Sequence, residues 1–243
     1  MSRSCRLVQH AWGYGGVKER QQQMNNKDDE GLDASRNAAF LTREPAGAAA
    51  PIDPSAWSEV AHWRKAERER LIAARLAVSA ETRGQWSNAI ATGLDAVIGN
   101  VSGKMISLYW PFRGEPDLRS WMASVNDRGG RTALPIVVEK GRPLVFHAYK
   151  PGDRLEKGVW NIPIPAEGEP VLPDIVISPL VGVDPGRFRL GYGGGFFDRT
   201  LAFLPYRPLV IGIGYELQRI ATIYPQPHDI PMDRIVTESV LSN

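Results

Sequence analysis

The sequence predicts an α/β domain in which a mostly parallel sheet is flanked by helices, a Rossmann-like three-layer architecture. Segments with helical spacing alternate with short apolar segments, the arrangement that places helices on the faces of a parallel sheet. One apolar segment, Ile175-Val176-Ile177, is β-branched throughout, as expected for a strand buried on both faces. The turn Glu139-Lys140-Gly141-Arg142 predicts one hairpin within this pattern.

Two helices open the predicted domain. Asp53 is suited to cap the first, with Pro54 at its first helical position. Ser79 is suited to cap the second, which runs to about Ile98. Apolar residues keep helical spacing through the first helix as far as Val78: Trp57, Val60, Ala61, Leu71, Ile72 and Leu76.

The rest of the domain reads as strands and a further helix. Pro116 to Val125 predicts that helix, ending before Gly129-Gly130. Because ligands of open parallel sheets bind at the carboxyl ends of strands, we expect functional residues in the loops that follow them. The predicted strands are Met105–Tyr109, Thr132–Val138, Leu144–Ala148, Ile175–Ile177, Leu209–Gly212 and Arg234–Thr237.

Composition separates an extension, residues 1–52, from a single domain, residues 53–243. The polar, aperiodic run from Gln21 to Glu30 and the Ala- and Gly-rich run from Ala46 to Pro51 predict that the extension is disordered. A net charge of +2 is too small to indicate a nucleic-acid partner, and no apolar run is long enough to span a membrane. A single cysteine, Cys5, excludes an internal disulfide and a multi-cysteine zinc site. We expect a cytoplasmic monomer with neither a nucleic-acid nor a membrane partner.

The segment from Arg189 to Arg199, RLGYGGGFFDR, is the most informative part of the chain. Four of its residues from 191 to 195 are glycines, which let the backbone turn and bring its N–H groups close to a ligand. A short helix, Phe196 to Phe203, follows, so the segment predicts an anion site at a helix N-terminus, with Asp198 and Arg199 beside it. It matches neither the Walker A nor the dinucleotide motif. A nucleotide-phosphate loop is favoured, and a glycine-rich hairpin or linker is the alternative.

Four further segments carry residues suited to chemistry. Arg64, Arg68 and Arg75 lie near one helical face and together suit an anion, although the residues alone favour a solvated face paired with Glu67 and Glu69. Trp110 and Glu115, between a strand and a helix, suit a flat heterocycle with N–H donors; alternatively Glu115 caps the helix and Trp110 is core.

The other two segments are weaker signals by themselves. The prolines of Val159–Pro165 fix an extended segment that forms either a sheet edge or a ligand wall. Asp229, near the last strand, is suited to join Asp198 as a magnesium ligand, since magnesium takes few protein carboxylates and completes its shell with phosphate and water. No nucleophile elbow is present, so covalent catalysis is not indicated.

Taken in order, these segments resemble the 5-formyltetrahydrofolate cyclo-ligase family, also called 5,10-methenyltetrahydrofolate synthetases, from about Arg64 to Glu238. The loop is similar to the family's Arg-Leu-Gly-x-Gly-x-Gly-Tyr-Tyr-Asp signature. The resemblance implies Glu115 and Arg189 as catalytic residues, and Asp198 and Asp229 as magnesium ligands. It implies ATP contacts from Arg64, Arg68, Gly191, Tyr192, Gly193, Gly194, Gly195, Phe196, Phe197 and Arg199. It implies folate contacts from Trp110, Glu115, Trp160, Asn161, Ile162, Pro163 and Phe196.

This chain departs from the family pattern at two places in the loop. Phe196-Phe197 replaces the tyrosine pair, which removes a hydroxyl near the substrate. Gly194 stands where lysine is often found, so one phosphate charge falls to Arg199 or Arg189. The N-terminal extension has no counterpart in the family pattern.

The reaction that the resemblance implies is an ATP-dependent ring closure, catalysed by a ligase with Mg²⁺ as cofactor. ATP phosphorylates the formyl oxygen of 5-formyltetrahydrofolate, N10 attacks the activated carbon, and phosphate leaves. Another small-molecule phosphotransferase on the same fold would keep the loop and lose the folate wall. A non-catalytic folate- or nucleotide-binding protein would lose Asp198 or the Arg64 and Arg68 pair, and all three are present.

Overall fold

The computed structural model describes residues 54–239, so the extension predicted to be disordered and the cap at Asp53 lie outside the described residues. The helices are α1 (Pro54–Ala77), α2 (Ala80–Ile98), α3 (Arg119–Asp127) and α4 (Phe196–Phe203). The first strands are β1 (Met105–Ser107), β2 (Arg131–Ile136), β3 (Val145–Ala148), β4 (Leu155–Lys157), β5 (Pro163–Pro165) and β6 (Pro170–Val171). The last are β7 (Ile175–Pro179), β8 (Gly182–Val183), β9 (Arg189–Leu190), β10 (Leu209–Ile213) and β11 (Arg234–Val236).

The predicted fold class is confirmed by the central sheet, whose seven strands follow the order β11-β10-β7-β1-β2-β3-β6. The five strands from β11 to β2 are parallel to one another. At the far edge β3 runs antiparallel to β2, and β6 runs antiparallel to β3. The predicted hairpin joins β2 to β3, and its turn is closed by the amide of Arg142, which donates to the carbonyl of Glu139 at 3.3 Å.

Helices cover both faces of this sheet and make the three predicted layers. On one face, Leu94 of α2 and Met122 of α3 pack in the same apolar cluster as Ile106 of β1. On the other, Val176 of β7 packs with Leu201 of α4. Successive residues along a strand point to opposite faces of the sheet, and helices cover both faces. The parallel strands are therefore apolar throughout. Within residues 54–239, no helix is long and apolar enough to cross a lipid bilayer.

Two helices differ from the sequence prediction in informative ways. In α1, Arg75 is fully buried whereas Leu76 is 50% exposed, so the apolar spacing alone points to the wrong residue at this turn. The helix predicted from Pro116 begins only at Arg119. The residues before it are held by hydrogen bonds from outside the helix: the hydroxyl of Tyr109 donates to the carbonyl of Pro116 at 2.7 Å, and the amide of Asp117 donates to the hydroxyl of Ser87 at 3.0 Å. The second helix begins as predicted, with the Ser79 hydroxyl accepting the Thr82 amide at 3.0 Å.

Two small antiparallel sheets, β4–β5 and β8–β9, complete the fold and were not predicted as such. The proline segment enters β5, so the sheet-edge interpretation is confirmed. The glycine loop comes after the Ile175 strand in the chain, with β8–β9 between them, and it leaves β9. This hairpin packs tightly on α1, where a Cβ at Gly182 would lie only 2.8 Å from Cδ1 of Leu71.

Candidate active site

The glycine loop runs from β9 directly into α4, as the sequence predicts. Gly193 has φ +96° and Gly195 has φ +60°, conformations that side chains with a Cβ rarely adopt. Gly195 is the N-cap of α4, and no side chain bonds to the cap position. The first-turn amides of α4 therefore have no capping side chain, which is the arrangement that binds phosphate at a helix N-terminus.

Two arginines of α1 lie near this loop: Arg68 contacts it, and Arg64 contacts the segment that carries Asp229. The Nε of Arg68 donates to the carbonyl of Gly191 at 2.7 Å, and its Cζ would lie 3.3 Å from a Cβ at Gly193. Arg64 donates to the carbonyl of Ile223 at 2.8 Å and forms a 2.5 Å ion pair with Asp229. The solvated-face interpretation of these arginines is therefore wrong.

The charge of Arg68 is poorly compensated by the protein. Burial and, to a smaller extent, the nearby charge of Arg64 lower its pKa to about 10, against the opposing effect of Asp229. The side chain is still protonated at neutral pH. A partly buried cation held beside a second cation and beside backbone donors favours an anionic ligand at this end of the site.

Arg189, at the start of the loop, carries a deeply buried charge. Its Nη2 lies 2.8 Å from Oδ1 of Asp198, in a pair whose side chains are 3% and 16% exposed. Burial lowers the pKa of Arg189, and the charges of Asp198 and Asp229 oppose that shift. The ring of Phe197 lies 5.3 Å from its Cζ. Nη1 is buried and makes no hydrogen bond to any residue in the described range, so it is an unsatisfied donor beside the loop.

Asp198, which pairs with Arg189, and Asp229, which pairs with Arg64, are the candidates for a metal site. Oδ1 of Asp198 accepts the amide of Ile230 at 3.1 Å, and Oδ2 of Asp229 accepts the amide of Gln226 at 2.7 Å. These bonds and the arginine contacts fall on one oxygen of each carboxylate. Over residues 54–239 no group of three acidic, histidine or cysteine ligands occurs. The pair therefore suits magnesium, which needs only one or two carboxylates when phosphates complete its shell.

Glu115 lies at the other end of the loop and is only 6% exposed. Its Oε2 accepts the amide of Phe112 at 3.0 Å, and its Oε1 accepts the hydroxyl of Tyr192 at 3.0 Å. Burial raises the pKa of Glu115 to about 7, while Arg75, the Phe112 amide and Tyr192 act to lower it. Because Glu115 bonds inside the site and α3 begins at Arg119, the helix-cap alternative is wrong.

Arg75 is a functional candidate whose role sequence reasoning missed. Its Nη2 donates to the hydroxyl of Tyr192 at 2.7 Å, and its Nε donates to the carbonyl of Arg113 at 2.9 Å. The sequence placed it with Arg64 and Arg68 at one anion, whereas its contacts lead to Glu115. The one signal in the sequence is a charge that shares a helical face with Arg64 and Arg68.

The proline segment brings an aromatic ring to the loop. Trp160 is 40% exposed, and its ring meets the Phe196 ring edge-on, with the ring centroids 6.2 Å apart. Trp160 and Asn161 adopt φ +55° and +57°, so the chain turns sharply there before Ile162 and Pro163 continue into β5. This segment is thus a sheet edge that also stands beside the glycine loop.

Trp110 and Arg199 are the remaining two residues that were predicted for the site. Trp110 contacts the ring of Tyr149 at 6.4 Å and the guanidinium of Arg119 at 5.4 Å, and it packs on the main core cluster. Arg199 bends back over the loop, where it donates to the carbonyl of Gly194 and lies 5.7 Å from the Phe196 ring. A cation therefore stands beside Gly194, where the sequence lacks the lysine.

Comparisons with known proteins agree with this geometry. The model of the 5-formyltetrahydrofolate cyclo-ligase family matches residues 60–238. The 5-formyltetrahydrofolate cyclo-ligase of Escherichia coli K12 is 29% identical over 172 residues, covering 68% of this chain and 94% of that protein. The protein of the same name from Mycolicibacterium smegmatis is 30% identical over 148 residues, covering 56% and 75%.

Solved structures resemble the chain as well. The NMR structure of Aquifex aeolicus 5,10-methenyltetrahydrofolate synthetase has a TM-score of 0.63 at 28% identity, covering 73% of this chain and 91% of that one. The synthetase from Mycoplasma pneumoniae, at 23% identity and a TM-score of 0.61, shares the fold.

Proposed function

The chain belongs to the 5-formyltetrahydrofolate cyclo-ligase family, and on that premise we propose that it converts 5-formyltetrahydrofolate and ATP to 5,10-methenyltetrahydrofolate, ADP and phosphate. The formyl oxygen attacks the γ-phosphorus of ATP and ADP leaves. N10 then attacks the formyl carbon, N10 loses its proton, and the C–O bond breaks to release phosphate. An amide oxygen is a poor leaving group, and phosphorylation makes it a good one.

The loop end of the site carries the phosphoryl transfer. Catalysis of this step consists of alignment and of charge neutralisation on the moving phosphoryl group. The amides of the glycine loop and the first turn of α4 cradle the phosphates. Arg68, which bonds to the loop, and Arg189, whose buried Nη1 has no hydrogen-bond partner in the described range, supply positive charge. Arg199, folded over Gly194, supplies charge where the family pattern has lysine.

Asp198 and Asp229 are the residues that would hold magnesium. When bound, the ion would neutralise charge on the ATP phosphates and help to keep them in line with the formyl oxygen. The carboxylates also hold Arg189 and Arg64 through ion pairs, so they order the cations around the phosphates whether or not the ion is present.

The folate end is formed by Glu115 and the aromatic wall. Glu115 accepts hydrogen bonds from N–H donors of the pterin or of the N10 region, and its low exposure keeps water from competing. Trp160 and Phe196 offer ring surfaces to the flat part of the substrate, with Asn161, Ile162 and Pro163 continuing that wall.

The observation that supports this assignment best is that the loop proposed to cradle the phosphates also contacts the folate end of the site at two places. Tyr192 of the loop bonds to Glu115, and Phe196 of the same loop meets Trp160. ATP on the loop amides would thus lie next to a folate held by Glu115 and the wall. A generic phosphotransferase would have no need of this second half.

Appearance of 5,10-methenyltetrahydrofolate, followed by its absorbance, tests the function. Product should form only with ATP and magnesium, and one ADP should appear for each product. Phosphorylation of the formyl group without cyclisation would indicate a different phosphotransferase. Tight binding of both ligands without turnover would indicate a non-catalytic binding protein. We further propose that the enzyme acts in the cytoplasm as a monomer and without nucleic acid.

A further inference from the structure

Arg75 is the largest fully buried side chain of the described domain, although it carries a charge. Its guanidinium is held by the carbonyl of Arg113 at 2.9 Å, by the carbonyl of Leu180 at 3.4 Å and by the hydroxyl of Tyr192 at 2.7 Å. Among residues 54–239 no carboxylate pairs with it directly. A buried cation needs a compensating negative charge, and here Glu115 supplies it through the Tyr192 hydroxyl.

The direction of these hydrogen bonds is fixed by chemistry. A guanidinium has donors only, so the hydroxyl oxygen of Tyr192 must accept from Arg75. Its single proton is then directed to Oε1 of Glu115 at 3.0 Å, since the other acceptor within reach, the carbonyl of Phe112, lies at 3.5 Å. The amide of Phe112 fixes Oε2 in the same way. Each carboxylate oxygen thus has one lone pair engaged, and the second lone pair of each has a set direction.

We propose that Arg75 and Tyr192 are positioning residues that hold Glu115 as an oriented acceptor for neighbouring N–H donors of a flat heterocyclic ligand. That the ligand is a folate rests on the proposed function. The hydrogen-bonded chain from Arg75 through Tyr192 to Glu115 is a property of this protein by itself. It also explains why Tyr192, a residue of the glycine loop, directs its hydroxyl to Glu115.

The remaining group that faces Glu115 does not take part in this chain. Tyr109 is buried beside it, and its hydroxyl donates to the carbonyl of Pro116 at 2.7 Å. The charge of Glu115 raises the pKa of Tyr109, as does burial, so this phenol stays neutral. Asp117 is exposed and pairs with Arg119. Arg75 and Tyr192 are therefore the groups that favour ionisation of Glu115, together with the Phe112 amide.

The first experiment needs no substrate. Glutamate carboxyls labelled with ¹³C are titrated by NMR in the wild type and in Tyr192→Phe, and the Glu115 resonance is identified by its loss in Glu115→Gln. Removing the hydroxyl should raise the Glu115 pKa by about one unit. Tyr206→Phe is the control, because its hydroxyl binds the carbonyl of Pro173 at 3.1 Å, remote from Glu115. An unchanged Glu115 pKa in Tyr192→Phe overturns the proposal.

The second experiment asks whether Tyr192 acts through Glu115. Tyr192→Phe should lower kcat/KM for 5-formyltetrahydrofolate about tenfold in the wild-type background and less than about twofold in the Glu115→Gln background. The acidic limb of its pH profile should move to higher pH. Equal losses in both backgrounds would mean that Tyr192 contacts the ligand itself. If the wild type shows no turnover, the proposed function fails, and the NMR titration still decides the positioning role.

Discussion

Asp198 lies 2.8 Å from Nη2 of Arg189, and this ion pair joins the first turn of α4 to the strand that leads into the glycine loop. The carboxylate proposed to hold magnesium is therefore also the counter-ion of an arginine that is only 6% exposed. Removing the Asp198 carboxylate should therefore affect both the free energy of unfolding and turnover.

We expect Asp198→Asn to lower the free energy of unfolding by about 3 kcal/mol, because it leaves the buried Arg189 charge without its partner. Turnover should fall by about 10²–10³, since a group that stabilises charge in the transition state is lost. Urea unfolding and the methenyltetrahydrofolate assay measure the two effects. Glu167→Gln is the control: it breaks an exposed 3.5 Å pair with Arg154, and its cost should stay below about 1 kcal/mol. Wild-type turnover of Asp198→Asn at limiting magnesium would refute the metal assignment.

Gly193→Ala should weaken ATP binding at least tenfold and leave folate binding nearly unchanged. The new Cβ would lie 3.3 Å from Cζ of Arg68. The backbone there has φ +96°, a conformation that glycine adopts without the steric strain other residues would have. Gly152→Ala is a matched control, because Gly152 has φ +104° and nothing within 4 Å of the added Cβ. Both variants should lose about 1 kcal/mol of stability from backbone strain. Calorimetry should find the ATP effect in Gly193→Ala alone, and equal affinities in both variants would remove the loop from the phosphate site.

Glu115→Gln should lower kcat/KM for 5-formyltetrahydrofolate strongly, with ATP affinity nearly intact. A carboxylate offers two acceptors, whereas an amide replaces one of them with a donor, and at a buried site this leaves groups unpaired at about 1–3 kcal/mol. The wild-type pH profile should show an acidic limb near pH 7 that is lost in the variant. Unchanged folate kinetics in a folded Glu115→Gln protein would exclude Glu115 from the active site.

The Glu115→Gln variant also tests how the free energy of unfolding depends on pH. The folded-state pKa of Glu115 is raised from 4.5 to about 7, so the folded protein binds more protons than the unfolded chain within that window. Wild-type stability relative to Glu115→Gln should therefore fall by about 3 kcal/mol as the pH rises from 4.5 to above 7. Denaturant titrations at several pH values measure it, with Glu167→Gln correcting for the change in net charge. A difference that grows with pH would contradict the burial argument.

Trp160→Ala should raise KM for the folate about tenfold and change the melting temperature little. The ring is 40% exposed and its one described ring contact is Phe196, so it contributes little to the core. Tyr206→Ala removes another aromatic ring, 42% exposed, and should leave KM unchanged. Equal KM values for Trp160→Ala and the wild type would show that the segment is a sheet edge and not a folate wall.

Much of the frame of this protein is determined by local sequence. The alternation of β-branched strands and helices predicts the parallel sheet, Ser79 predicts where α2 begins, and the glycines predict the turn that precedes α4. These features depend on residues close to one another in the chain, through backbone sterics, capping and side-chain periodicity. The loop and its flanking arginines, as a motif, were also sufficient to point to phosphate chemistry.

Only the tertiary structure determined which residues of the site form hydrogen bonds with one another. Arg75 looks like a third member of a basic helical face, and only the packing of α1 against the β8–β9 hairpin buries it and turns it toward Tyr192, 117 residues away. Glu115 was equally compatible with a helix cap until Tyr192, 77 residues distant, was found to bond to it. In the sequence, a charged residue that faces water cannot be distinguished from one that faces a buried acceptor. The difference lies in which distant groups the fold brings within hydrogen-bond distance and whether water is excluded there.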